Sequence, residues 1–178
     1  MKEFGGPAFF IDRNDINTDE IIPAKYLTEI TKKALAPHLL EDLRLNNIDF
    51  DPRCEELQRA NVLVTRSNFG CGSSREHAVW ALEVNNINMV IGESFARIFR
   101  QNMFNCGIMA VELPAAEIDK LFGLQGKVTI TVDLDRQIIT AAEGEGSRRS
   151  ITCGFSLNPF DLQLVRAGGW LAYADLNY

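Results

Sequence analysis

A glycine-rich turn between a predicted strand and a predicted helix constrains the fold of this chain more than any other segment. Residues 62–65 form an apolar run that predicts a buried strand, and apolar residues from Ala78 to Leu82 follow at helical spacing. Residues 89–92 then predict the next strand. We therefore expect a βαβ unit with a right-handed crossover over residues 62–91, within a mixed α/β chain.

The turn itself combines glycines with two hydroxyls and a guanidinium. Gly70 and Gly72 precede Ser73, Ser74 and Arg75 at the start of the predicted helix. Glycines allow close approach of the backbone to a ligand, and the free N–H groups of a first helical turn favour an anion. An arginine fork matches a carboxylate or a phosphate. The turn therefore predicts a site for a negatively charged ligand, although it has neither the dinucleotide-binding nor the P-loop spacing.

Structural roles compete with functional ones at these residues. Ser73 and Ser74 are also suited to cap the helix, and the residues alone leave capping and function evenly balanced. His77 is better interpreted as a packed, hydrogen-bonded residue than as a catalytic one. Cys71 lies beside a helix N-terminus and Arg75, so a stabilised thiolate is a second, weaker interpretation of that cysteine.

Composition limits the possible partners. The 178 residues carry a net charge of −6 and predict one globular domain over residues 1–178. This charge argues against non-specific binding to nucleic acid or to an anionic membrane.

Apolar runs are far too short for a membrane span, and the first residues lack a signal-like segment, so we expect a cytoplasmic protein. The four cysteines are widely separated, which predicts no zinc or cluster site on this chain alone: Cys54, Cys71, Cys106 and Cys153.

The remaining patterns predict further strands and helices. Strands are expected at residues 8–11 and 108–113, and a hairpin over residues 127–141. Helices are expected at residues 35–45 and 159–167. A further helix is expected to be capped by Ser94, with an apolar face that consists of Phe95, Ile98, Phe99 and Met103.

Four segments in a fixed order resemble the swivelling domain of the aconitase family, in its free-standing small-subunit form. They are Asn17-Thr18-Asp19-Glu20-Ile21-Ile22-Pro23-Ala24, residues 68–78, Ser94-Phe95-Ala96-Arg97-Ile98 and Arg166-Ala167-Gly168-Gly169. Residues 34–60 are less distinctive, and their assignment depends on their position between the first two motifs. The resemblance implies a swivelling β/β/α domain, with a mixed sheet or partly open barrel and flanking helices.

The resemblance also implies an activity. The implied enzyme is a heteromeric hydro-lyase of leucine biosynthesis, which isomerises 2-isopropylmalate and 3-isopropylmalate by dehydration and rehydration. It is active only with a large subunit that carries a [4Fe-4S] cluster. Ser73 takes the position of the family's base, and Ser74 and Arg75 take neighbouring substrate-binding positions. A serine alkoxide is a base strong enough to remove a proton beside a carboxylate, provided that concentrated positive potential stabilises it.

Substrate choice is expected to depend on Tyr26, Leu27 and Thr28, which follow the first motif. Homoaconitase-like relatives tend to have an arginine where this chain has Thr28, so the sequence favours an apolar substituent such as isopropyl. Two alternatives stay open: a homoaconitase-type or methylmalate-type dehydratase subunit acting on another di- or tricarboxylate, and a non-catalytic anion-binding module.

Overall fold

The computed structural model describes residues 3–45, 50–73, 75–144 and 149–178. Within these residues, seven strands form a single mixed sheet with the order β4-β3-β2-β1-β5-β6-β7. The strands are β1 (Gly5–Phe10), β2 (Val62–Val64), β3 (Met89–Gly92), β4 (Met109–Glu112), β5 (Val128–Asp133), β6 (Ile138–Glu143) and β7 (Ser150–Gly154). Strands β1 to β4 are parallel and β5 to β7 are antiparallel. The predicted α/β class with a mixed sheet is confirmed.

Strand β1 joins the two halves of the sheet. Its first residues, Gly5 to Pro7, pair antiparallel with β5, whereas Ala8 to Phe10 pair parallel with β2. The side-chain amide of Asn88 donates to the Gly5 carbonyl at 2.9 Å and accepts from the Gly5 N–H at 3.0 Å. One short strand therefore sets the position of the antiparallel part relative to the parallel part.

Seven helices flank the described strands: α1 (Thr18–Ile21), α2 (Glu55–Arg59), α3 (His77–Val84), α4 (Arg97–Asn105), α5 (Ala115–Phe122), α6 (Pro159–Ala167) and α7 (Trp170–Asn177). Helix α3 connects β2 to β3, and α4 connects β3 to β4, so the predicted βαβ unit is confirmed. All residues of β2 and β3 are buried, as expected for central parallel strands. No helix among the described residues combines the length and the apolarity needed to cross a bilayer.

The helix predicted over residues 35–45 is wrong. The chain forms a 3-10 helix at Lys32–His38 instead, with Pro37 inside it, and Leu39 is extended. Leu40 then has a left-handed φ of +57°, which a right-handed α-helix does not contain, so no α-helix runs from residue 35 to residue 45. A second 3-10 turn lies at Ala24–Tyr26.

The predicted cap of helix α4 is also wrong. Its N-cap is Ala96, and the Ser94 hydroxyl accepts a hydrogen bond from the Asn68 N–H at 2.8 Å instead. The helix buries Phe99 and Met103, whereas Ile98 is 56% exposed. Residue 98 lies about 100° around the helix from Phe99, outside the buried stripe.

Close packing at Gly107 predicts a large cost for a side chain there. Its φ is +74°, and an added Cβ would lie 2.6 Å from the Gly168 carbonyl. Gly126 has a similar φ of +71° with open space around it, so Gly126→Ala is a matched control. We expect Gly126→Ala to lower the free energy of unfolding by about 1 kcal/mol and Gly107→Ala by about 3 kcal/mol, measured by urea denaturation. Equal losses in the two variants would contradict this packing argument.

Candidate active site at the glycine turn

The loops that follow β1 and β2 pair with each other at the carboxyl ends of these strands. The Gly70 N–H donates to the Ile16 carbonyl at 2.8 Å, and the Thr18 N–H donates to the Cys71 carbonyl at 2.8 Å. Asn17 and Cys71 form a parallel bridge between them. The first and second sequence motifs are therefore one structural unit, at the edge of a parallel sheet where ligands commonly bind.

Helix α1 is short but fixed firmly in place. Asn17 and Glu20 form a capping box, and Arg13 makes an ion pair with the Glu20 carboxylate. Burial opposes ionisation of Glu20, but hydrogen bonds from Arg13 and from the Asn17 backbone lower its pKa overall. The carboxylate is thus charged at neutral pH and holds the start of α1 against the loop that follows β1.

Thr18 connects this helix to the predicted base. Its side chain is buried, and its hydroxyl accepts a hydrogen bond from the Ser73 N–H at 3.1 Å. Sequence reasoning placed Thr18 in a motif without a role. The structure gives it one, because its hydroxyl fixes the backbone at Ser73.

The third motif supports the turn from the other side. The Phe69 N–H donates to the Ser94 carbonyl at 3.1 Å, and the Ala96 N–H donates to the Phe69 carbonyl at 3.0 Å. Gly70 has a φ of +83°, and a Cβ there would lie 2.2 Å from the Phe99 ring. Only glycine fits between the turn and helix α4.

Ser73 lies half-buried at the end of the turn. Its hydroxyl oxygen accepts a hydrogen bond from the Arg75 N–H at 3.3 Å. Helix α3 begins at His77, and its N-cap residue Glu76 makes no side-chain capping bond. The positive end of the helix therefore lies within four residues of Ser73, where it favours negative charge.

Several predicted site residues meet in one narrow crevice. Ser73, Arg75 and Leu27 line it together with the apolar side chain of Ile22. On its other side, Ser73 borders a larger open cleft of about 1030 Å³, whose opposite wall is the first turn of α4. The base position is thus accessible from a space much larger than a small carboxylate.

Tyr26 and Thr28 do not line this crevice. The Tyr26 ring stacks on His38 with 3.8 Å between the ring centroids, and Thr28 is exposed. The Arg75 side chain is exposed and makes no ion pair with a described residue. Ser74 lies outside the described residues.

The cysteines do not form a metal or nucleophile site. Burial, together with the negative charge of Asp15, raises the pKa of the Cys71 thiol, so the interpretation of a stabilised thiolate is wrong. Burial and the Glu117 carboxylate raise the pKa of Cys153 to about 12. No group of three or more His, Cys, Asp or Glu among the described residues is arranged to hold a metal ion. The donor set of this part of the chain does not fit an iron–sulfur cluster.

Known proteins share both the sequence and the fold. The model of the aconitase C-terminal domain family matches residues 11–116. A 3-isopropylmalate dehydratase small subunit from Leptospira interrogans is 39% identical over 158 residues, which cover 82% of this chain and 77% of the relative. Another from Rhodospirillum rubrum is 44% identical over 138 residues, covering 73% and 67%.

A crystal structure of 3-isopropylmalate dehydratase from Methanocaldococcus jannaschii superposes with a TM-score of 0.74 at 31% identity, covering 97% of this chain and 93% of that chain. The fold, the paired motifs and these matches agree. This chain belongs to the aconitase C-terminal domain family, in its group of 3-isopropylmalate dehydratase small subunits.

Proposed function

We propose that this chain is the small subunit of a cytoplasmic hydro-lyase that isomerises 2-isopropylmalate and 3-isopropylmalate in leucine biosynthesis. The observation that carries the proposal is the position of Ser73. Its hydroxyl oxygen accepts a hydrogen bond from the Arg75 N–H at 3.3 Å, four residues before α3 begins and in the crevice that Leu27 also lines. The names of the relatives support the same activity.

Ser73 acts as the base in this proposal. Its alkoxide takes the proton from the carbon beside a carboxylate and becomes a neutral hydroxyl, while hydroxide leaves the neighbouring carbon and a double bond forms. The proton now on Ser73 and the departed hydroxide together make up the one water that is lost, and release of that proton restores the alkoxide. Return of the water in the opposite orientation gives the other isomer. The Arg75 N–H and the N-terminus of α3 stabilise the negative oxygen of Ser73, and such preorganised donors contribute about 3 kcal/mol each in other enzymes.

Arg75 and Ser74 bind the substrate carboxylate in this proposal. The Arg75 guanidinium is exposed beside Ser73, and it is the cationic side chain of the crevice. A guanidinium can hold a carboxylate through two parallel hydrogen bonds.

A large subunit completes the site in this proposal. The cleft beside Ser73 is open, and an alkoxide is stabilised far better when water is excluded. The [4Fe-4S] cluster that the family resemblance implies is assigned to that subunit, since the described donor set here does not fit one. This chain then contributes the base and the carboxylate contacts.

The residues around the crevice select the substrate in this proposal. Leu27 and Ile22 are apolar side chains beside Ser73, in a crevice of about 10 Å³ that Asp19 also lines. An isopropyl group packs against them in this proposal once the crevice widens. Tyr26 and Thr28 flank Leu27 along the loop.

Removal of the Ser73 hydroxyl is expected to abolish turnover. We expect Ser73→Ala to lower kcat by about a thousandfold or more, because the variant lacks the oxygen that takes the proton. Alkene formation from 3-isopropylmalate, followed anaerobically with a cluster-loaded large subunit, measures this. Ser156→Ala, an exposed serine beyond β7, is the matched control. Substantial turnover by Ser73→Ala would exclude Ser73 as the base.

Replacement of the guanidinium is expected to weaken substrate binding. Arg75→Lys keeps the charge but loses the two-point contact, so KM should rise roughly 10- to 100-fold. The same anaerobic assay gives KM and kcat separately. Arg53→Lys, at another exposed arginine, should leave both unchanged. An unchanged KM in Arg75→Lys would remove Arg75 from the carboxylate contact.

An arginine at residue 28 is expected to change substrate preference. In Thr28→Arg, the exposed position next to Leu27 gains a cation for an additional carboxylate. We expect kcat/KM for homoaconitate relative to 3-isopropylmalate to rise about tenfold. Thr28→Met, of similar length and without charge, is the control. If both variants change the ratio equally, charge at residue 28 does not select the substrate.

A further inference from the structure

The segment that carries Leu27 is held at two places. Near its start, the Tyr26 ring stacks on His38 with the two ring planes 13° apart. Between Leu27 and Lys32 the chain is exposed, and Ile30 is 93% exposed. A loop with so little burial needs specific contacts to keep one conformation. We define the recognition loop as residues 24–33.

The second attachment is to helix α3, through His77. Its Nε2 atom lies 3.2 Å from the Glu29 carbonyl oxygen. A carbonyl oxygen can only accept, so Nε2 carries the proton in this contact. The His77 ring also packs on Trp80 with 4.7 Å between the ring centroids, which fixes its orientation.

Lys32 extends the same attachment. Its Nζ lies 2.8 Å from the Glu83 carboxylate and 5.7 Å from the centroid of the Trp80 ring. Both charged side chains are partly exposed, and an ion pair of this kind alone contributes little. Together with His77, it places the end of the recognition loop across the Trp80 side of α3.

The same helix start carries the proposed catalytic groups. His77 follows Arg75 by two residues and Ser73 by four. A rigid turn and helix therefore hold the base at one point and the recognition loop at another. The separation between Leu27 and Ser73 depends on both contacts.

We propose that His77 is a positioning residue, which holds the recognition loop on α3 so that Leu27 faces the substrate beside Ser73. Lys32 and Glu83 assist it. Its kinetic consequence rests on the proposed function, whereas the attachment itself is a property of this chain alone.

The attachment is tested on the isolated chain with Trp80 as the reporter. The chain has two tryptophans, so Trp170→Phe leaves Trp80 as the only one. In that background we expect His77→Phe and Lys32→Glu to shift Trp80 emission to longer wavelength and to speed hydrogen exchange at residues 29–32. Lys33→Glu makes the same charge change at an exposed neighbour and is expected to alter neither. Wild-type emission and exchange in His77→Phe would overturn the proposal.

The positioning role is tested in the complex with a cluster-loaded large subunit. We expect His77→Phe to raise KM for 3-isopropylmalate about fivefold, the size expected for one hydrogen bond, with little change in kcat. His77→Gln keeps a hydrogen-bond donor at this position, so its KM should stay close to the wild-type value. Glu83→Lys, added to Lys32→Glu, should restore the ion pair with reversed charges and return KM towards the wild-type value. If Trp80 emission and hydrogen exchange show that the loop is released while KM stays unchanged, the positioning role is overturned. An inactive wild-type complex would count against the proposed function, while the emission and exchange results would still decide the attachment.

Discussion

The pairing of two loops at the ends of β1 and β2 is the interaction on which the site depends. Two backbone hydrogen bonds and the Thr18 hydroxyl join helix α1 to the glycine turn. Without them, the turn would be attached only at its start, through the hydrogen bonds of Asn68 and Phe69 and the packing of Gly70 on α4. With them, Ser73 is fixed between a helix start and a buried threonine, as the base of the proposed function requires.

The parallel half of the fold was predictable because its signals are local. Strands β2, β3 and β4 are short apolar runs, and α3 and α6 have helical spacing beside glycine or proline signals. Strand β7 (Ser150–Gly154) alternates weakly and is exposed at most positions, so no apolar run marks it. Helix α7 has apolar residues on every side and none of them buried, so no stripe predicts it.

The candidate site was predictable as a list of residues but not as an arrangement. Family resemblance pointed to Ser73 and Arg75, while the residues alone left capping and function balanced. The contacts of Thr18, Ser94 and His77 join segments 26 to 55 residues apart in sequence. Such long-range contacts follow from the order of strands in the sheet. A single sequence does not reveal which threonine or serine side chain a distant loop will meet.

The site combines a rigid glycine turn with an exposed loop that carries Leu27. The glycine turn is held on both sides, and Gly70 leaves no space for adjustment against Phe99. Leu27, which lines the crevice from the opposite side, belongs to a loop with few buried residues. Groups that must stabilise an alkoxide gain from rigidity, since reorganisation during the reaction would weaken their effect. Groups that recognise an apolar substituent act through burial, which depends less on direction. In the proposed function, a fixed base and an attached but exposed recognition loop therefore suit a subunit that admits substrate from an open cleft before a partner covers it.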